Sequence, residues 1–372
     1  MRLGVLPEQG GSIANLRRTG QHTRFLRQYV RRYIQAFDEV HFFSYANERL
    51  DQEVGPTFHL HPNPGIHRWL YGFLMPVVQG RAMRRCSVLR VLQATGAIPA
   101  WLAKRLYGPP FVVTFGYHYS TELRAARRRF RAWLFDRRLA WALRRADGII
   151  VTTPALADYA RAIAPEERIA LIPNSIDTDL FAPADERPAA SPHRRLIAVG
   201  NLTENKDHSL LLEAVARTGR RDLTLTIFGR GPTEDALQRL AAEKGLALEL
   251  PGIVPNETLP DRLREADAYC ITSRSEGHPK SLLEAMSVGL PCIGTDAPGI
   301  RDVIRDGETG WLTPPAPAAL ARAIHRVYET PDAAAALGRK ARAFVLEHYS
   351  AEVIMAREIA FLQEVARRAG RE

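Results

Sequence analysis

Cysteine is scarce in this chain. Cys86, Cys270 and Cys292 are the only three in 372 residues, too few and too scattered for a disulfide framework or a zinc site, and they suit a reducing cytosol. Long apolar runs are missing too. No stretch reaches the roughly 18 to 20 apolar residues that cross a bilayer, so a protein integral to a membrane is excluded. Residues 1–7 are too short and too soon interrupted to be expected to act as a signal peptide. No internal repeat, low-complexity tract or recognised nucleic-acid-binding motif is present. The length itself suits two domains, each able to bury its own core.

Positive charge is plentiful but one-sided. Residues 1–172 carry 26 Lys and Arg against 12 Asp and Glu, a net of +14, whereas the remaining residues carry 25 against 29, a net of −4. A single-signed half attracts an anionic partner such as a membrane surface, a nucleic acid or an acidic substrate. The absence of a nucleic-acid motif argues against the second of these.

The most informative stretch runs from Cys270 to Met286. Residues 267–272 read as a short buried strand. From Pro279 onward Leu282, Leu283, Ala285 and Met286 recur as on a helix, with proline near the first helical position, where its missing N–H costs nothing. Between them lies a strand-to-helix turn. In open α/β sheets ligands sit at such turns, beyond the carboxyl ends of strands, where the next helix presents unpaired N–H groups to a phosphate. Glu276 and Glu284 frame the turn with seven residues between them. A carboxylate repels a diphosphate but accepts hydrogen bonds from sugar hydroxyls, so the pair fits a ligand carrying both groups. A helix cap at Glu276 and a surface charge at Glu284 fit the spacing equally well.

Extended through Ala285-Met286-Ser287-Val288-Gly289-Leu290-Pro291-Cys292-Ile293-Gly294-Thr295, this stretch resembles the E-x7-E signature of the retaining GT-B glycosyltransferases of family four. Residues 172–183 resemble the family's interdomain segment, and residues 295–304 and 306–312 continue the likeness. It is strong from about Ile172 to Leu312 and only general before that. The resemblance implies an α/β GT-B fold of two Rossmann-like domains facing across a cleft. Residues 1–183 would form the acceptor-side domain and 193–350 the nucleotide-sugar domain. A terminal helix over 351–370 would cross back to the first domain. Residues 184–192, rich in Pro, Ala and charge, read as the linker.

Several loops then acquire expected roles. Gly200-Asn201 and Lys206 follow a strand over 195–199, and in the family the corresponding lysine meets the donor's phosphates, often helped by an arginine where this chain has Asn201. Arg230, between Gly229 and Gly231 after a strand over 223–228, is the candidate substitute cation. The segment around Ile253 resembles the one that holds the nucleotide base through backbone groups. By family analogy Glu276 takes hydroxyls of the donor sugar, Glu284 takes the ribose, and the amides of Gly277, His278, Pro279, Lys280 and Ser281 meet sugar and diphosphate as far as each has an N–H to offer.

In the first half, Gly10-Gly11-Ser12 form a glycine turn after a strand over 3–7. Adjacent glycines permit positive φ and close approach, which serves either a plain turn or the family's acceptor loop. Many relatives place a histidine directly after the strand that here spans 111–115. This chain has Gly116 there, and His118 either supplies the imidazole from two residues on or is a solvent-facing loop residue. Residues 25–37 carry an apolar helical stripe, residues 69–78 read as a buried helix, with an acceptor-cleft wall or a lipid contact as the alternatives, and residues 123–145 read as one long arginine-rich helix. With Trp133 and Trp141, that helix either rests on an anionic leaflet or shows a solvated face.

The reading is of a metal-independent, retaining glycosyltransferase of hexosyl type with no cofactor. Catalysis is assigned to Glu276, Lys206 and His118. The partners are a nucleotide-sugar, a glycan or lipid-linked acceptor and an anionic membrane surface, with no nucleic acid. The setting is cytoplasmic, at the inner face of the membrane, in cell-envelope or exopolysaccharide assembly. A nucleotide-sugar epimerase of the same architecture and a non-catalytic basic scaffold are the alternatives.

Overall fold

The computed structural model describes residues 1–50, 54–125, 127–184 and 194–371. Apart from Ala184, the linker expected at 184–192 lies outside them. The chain forms two compact units, Met1–Pro173 with Ile354–Glu372, and Asn174–Val353.

The first unit is built on seven strands: β1 (Arg2–Leu6), β2 (Glu39–Phe43), β3 (Phe58–His61), β4 (Val88–Val91), β5 (Phe111–Phe115), β6 (Gly148–Val151) and β7 (Ile169–Leu171). All pair in parallel, in the order β3-β2-β1-β4-β5-β6-β7. Short strands buried along their length, such as Phe111–Phe115, are what a parallel sheet covered on both faces requires. The chain reverses its direction of winding between β1 and β4, which puts a crevice at their carboxyl ends.

The terminal helix Ala351–Arg368 returns to this unit. Ile354, Met355, Leu362 and Val365 pack with Val88, Val112 and Ile150, each burial contributing about 1.5–3 kcal/mol. Glu358 sits among them, fully enclosed. Its Oε1 accepts from Arg90 Nε of β4 at 2.7 Å and from the Tyr33 hydroxyl at 2.5 Å. One buried ion pair thus fixes the register of the last helix against the sheet.

Three helices differ from expectation. The stripe over 25–37 lies on a helix that starts at His22, widens into a π-helical stretch over Phe25–Val30 and ends at Ala36, with Phe37 extended beyond it. The arginine-rich segment is two helices, Ser120–Ala125 and Arg129–Arg145, separated where Arg127 takes a left-handed φ of 57°. The segment expected to be a buried helix is the helix Arg68–Val78, which buries only the stripe Tyr71, Gly72, Met75 and Pro76. Its other side exposes Trp69, Leu70, Phe73 and, at 67%, Val77.

The second unit holds β8 (Arg194–Val199), β9 (Leu223–Phe228), β10 (Ala247–Gly252), β11 (Ala268–Ile271), β12 (Cys292–Thr295) and β13 (Trp311–Thr313). These strands are again parallel, in the order β10-β9-β8-β11-β12-β13, and the switch lies between β8 and β11. The chain divides at Pro173 and Asn174, ten residues before the boundary expected at 183. The physical reason is Phe181, buried in the second core with Leu282, Leu283 and Met286. Its carbonyl accepts from Ser287 Oγ at 2.8 Å and Arg342 Nη1 at 3.1 Å, while Ile176 bridges to Ser350.

Candidate functional site

Two loops leave the sheet at the β8/β11 switch and are stitched together. Asn205 Nδ2 donates to the Ser275 carbonyl at 2.9 Å, Arg274 N to the Asn205 carbonyl at 2.8 Å, and Thr272 Oγ1 to the Lys206 carbonyl at 3.0 Å. Asp207 holds a left-handed φ of 47° and pairs with Arg274 Nε at 2.9 Å. This turn aims Lys206 inward. Its stem folds over Gly200, where an added Cβ would lie 3.3 Å from Lys206 Cε, and its Nζ meets Glu276 Oε1 at 2.5 Å. Ser273 Oγ donates to the same oxygen at 2.5 Å. Glu276 is fixed from behind as well. Its amide donates to the Pro298 carbonyl at 2.9 Å, and Gly299, at φ 83°, approaches so closely that a Cβ there would sit 2.8 Å from that of Glu276.

The helix Lys280–Ser287 begins just beyond, with Pro279 at its N-cap and, among the described residues, no side chain capping its first amides. That leaves N–H groups and the positive dipole end available to an anion. Ser281 Oγ accepts from the Tyr269 hydroxyl at 2.8 Å. The His278 ring is buried edge-to-face against Tyr349, and burial, then the charge of Lys280, push its pKa down to about 3. It is a neutral imidazole whose Nδ1 finds no partner among the described residues. Glu284 is only 1% exposed and accepts from Asn256 Nδ2 at 3.2 Å.

At the neighbouring exit of β9, Gly229 and Gly231 have a packing reason. A Cβ on either would overlap the backbone of Gly200 or Leu202, so the two exit loops touch only because these positions lack side chains. Arg230 is exposed and folds over Gly252, Asn201 is exposed, and Ile253 is half exposed.

In the first unit, Gly10 takes φ 84° and the Gly11 amide closes the turn onto the Glu8 carbonyl at 2.8 Å. Ser12 caps the helix Ile13–Arg18 through the Asn15 amide at 3.0 Å. Glu48 takes the Ile13 and Ala14 amides at 3.0 and 2.7 Å, so a protein carboxylate already occupies this helix end. His118 is not a free loop residue. Its Nε2 lies 3.2 Å from Asp136 Oδ1 and 3.1 Å from Ser120 Oγ, and its ring packs on Tyr159.

Both halves of the chain match known families. Residues 22–180 match the model for Glycosyltransferase Family 4, and residues 185–344 that for Glycosyl transferases group 1. The chain belongs to glycosyltransferase family 4. It is 31% identical over 160 residues to the putative colanic acid biosynthesis glycosyltransferase WcaL of Escherichia coli (strain K12), a match covering 40% of this chain and 39% of that protein. The matched stretch thus spans about two fifths of this curated relative. Among solved structures, sucrose-phosphate synthase from Thermosynechococcus elongatus superposes with a TM-score of 0.80 at 19% identity, covering 98% of this chain and 99% of that one. Anabaena HepE in complex with UDP-glucose does so at 0.74 and 18%, covering 97% and 98%. The fold is therefore GT-B.

Lys206 and Glu276 stand together in the second unit, with Gly200 beneath them and the Lys280 helix start beside them. Sequence reasoning missed Ser273, Asn205 and Gly299, which place those groups, and Asn256, which holds Glu284. For Gly299 a signal was present, a glycine following proline in a loop of the motif region. Ser273 and Asn205 act through hydrogen bonds that no spacing reveals.

Proposed function

We propose that this protein is a retaining, metal-independent glycosyltransferase. The second unit takes the nucleotide-sugar, and the first takes a glycan or lipid-linked acceptor. One observation carries the reading: Lys206 Nζ on Glu276 Oε1 at the β8/β11 switch, beside the uncapped start of the helix Lys280–Ser287. A cation, a helix N-terminus without a side-chain cap and a carboxylate at one strand mouth suit a ligand that is anionic at one end and rich in hydroxyls at the other.

In this account the bond between the sugar's anomeric carbon and the diphosphate oxygen breaks, and its electron pair leaves with the diphosphate. Lys206, Arg230 and the amides of Gly277, His278, Lys280 and Ser281 stabilise the charge that develops. The acceptor hydroxyl adds to the same face of the anomeric carbon, and its proton passes to the departing phosphate oxygen. Glu276 accepts from hydroxyls of the transferred sugar. An oxygen already bonded to Lys206 and Ser273 is a poorer nucleophile than a free carboxylate, which favours this role over a covalent one. Glu284 serves the ribose, the backbone around Ile253 the base, and the packed loops of Gly200, Asn201, Gly229 and Gly231 form the mouth that the donor enters. Gly10, Gly11 and Ser12 serve the acceptor, with His118 held by Asp136.

The UDP-glucose bound by HepE supports a nucleotide-sugar donor, and the WcaL name supports polysaccharide assembly. Cytoplasmic work at the inner face of a membrane is supported by the net +14 of residues 1–172 and by the exposed apolar side of the helix Arg68–Val78. The test is incubation with a panel of nucleotide-sugars, reading release of nucleoside diphosphate. Turnover of at least one donor that disappears in Lys206→Ala is expected, and no release from any donor with or without acceptor extracts would refute the reading.

A further inference from the structure

Two cavities of the first unit meet at Trp101, Arg144 and Arg145. One is a groove of about 1100 Å3 along the helix Arg129–Arg145, walled by Phe73, Ile98, Trp101, Leu134 and Trp141. The other, of about 560 Å3, is lined by Trp101 and five cations, Lys104, Arg105, Arg144, Arg145 and Arg168. Lys104 is paired with Asp147 at 2.7 Å. Among the described residues no carboxylate lies within ion-pair distance of the four arginines. Arg145 instead lies over the rings of Trp141 and Trp101, at 5.0 and 6.0 Å from their centroids.

Two helices, Ala97–Tyr107 and Arg129–Arg145, end at this place, and cations in a last turn complement the helix dipole. That accounts for a cation at each end. It leaves unexplained why four arginines line one cavity without an anion. Their mutual repulsion is relieved by a multiply bonded phosphate, which guanidinium groups grip in forked geometry. The surface around the cavities is unusually apolar: Phe73, Leu106, Phe130 and Trp133 are each more than half exposed. Tryptophan, arginine and exposed aliphatic groups together are the composition of a membrane interface.

We infer that the joined cavities bind one anionic phospholipid of a membrane, its phosphate in the arginine-lined cavity and an acyl chain in the tryptophan-walled groove. A soluble polyphosphate would use the arginine-lined cavity and leave the groove empty, so the sharing of Trp101, Arg144 and Arg145 between the two selects a lipid. The site is separate from the donor chemistry, and its failure would leave the proposed transfer reaction standing.

The experiment uses the full chain with vesicles of phosphatidylcholine alone, or mixed with phosphatidylglycerol carrying bromines on its acyl chains. Sedimentation with the mixed vesicles only is expected. The double variant Arg105→Gln, Arg144→Gln should bind them about thirtyfold more weakly at low salt, a factor of about five for each charge removed, with an unchanged thermal unfolding midpoint. In the triple variant Trp69→Phe, Trp133→Phe, Trp311→Phe, which leaves Trp101 and Trp141 as the only tryptophans of the sequence, fluorescence should still be quenched by the brominated chains. Loss of that quenching while sedimentation persists would overturn the groove assignment. Equal binding to both vesicle types, or displacement of the protein from vesicles by low inorganic diphosphate, would overturn the lipid assignment.

Discussion

Lys206 and Glu276, 70 residues apart in the chain, meet at 2.5 Å. The ammonium that is proposed to receive the donor's diphosphate is thus neutralised by the carboxylate proposed to receive its sugar. A diphosphate must draw Lys206 partly away from Glu276, and in doing so it frees carboxylate lone pairs for sugar hydroxyls. Donor phosphate and donor sugar are coupled through one ion pair.

Glu276→Gln tests that coupling. Removing the competing charge should raise affinity for a nucleoside diphosphate about fivefold, since a half-buried pair is worth on the order of 1 kcal/mol. Transfer should fall by about a hundredfold or more as the sugar loses its charged acceptor. Calorimetric titration and initial rates separate the two, and parallel loss of both quantities would mean that Glu276 positions Lys206 rather than competes for it.

Gly299→Ala should displace Glu276, because the new Cβ would lie 2.6 Å from the Glu276 carbonyl carbon. Gly307 is the control, with a positive φ of 72° and nothing within 4 Å of an added Cβ. Both alanine variants should lose about 1 kcal/mol through left-handed strain. Only Gly299→Ala should lose transfer rate. Equal rates in the two variants would show that Gly299 is there for its backbone alone.

Glu358→Ala strands Arg90 in the first unit's core without its anion. A cost of about 3–5 kcal/mol is expected in urea unfolding, with a smaller one for Tyr33→Phe, which leaves the ion pair whole. A loss below about 1 kcal/mol for Glu358→Ala would mean that the terminal helix is held by its apolar contacts alone.

Acid should weaken the second unit through His208 and His278. Burial is the first cause for both, lowering them from 6.5 to about 4 and about 3. Between those values and 6.5 the unfolded chain binds the extra protons, so the stability these rings contribute is present above about pH 6.5 and is lost as pH falls. The slope is about 1.4 kcal/mol per pH unit for each histidine. Urea midpoints from pH 7 to 5 check this, and His208→Gln should halve the dependence. A flat profile would contradict it.

Much of this architecture was legible because strands buried on both faces leave runs such as Phe111–Phe115 and because glycine and proline punctuate the strand exits. The joining of Lys206 to Glu276 was legible only through family likeness, since 70 residues separate them. Edge strands gave less signal: β3 holds Phe58-His59-Leu60-His61 and is only partly buried, so its alternation of His with apolar residues is weak. The break at Arg127 carries no glycine or proline to announce it. The helix Arg68–Val78 reads as buried because it is apolar nearly all round, and composition does not distinguish a residue facing the core from one facing outward. Phe181 moved the domain boundary because what decides membership is which core an aromatic ring enters, and that is a tertiary fact.

The most direct measurement is the dissociation constant of nucleoside diphosphates, tested across bases, for the full chain and for Lys206→Ala. The account predicts saturable binding of at least one of them, weakened at least tenfold when Lys206 is removed. Binding that is indifferent to Lys206, or no binding at all, would contradict it.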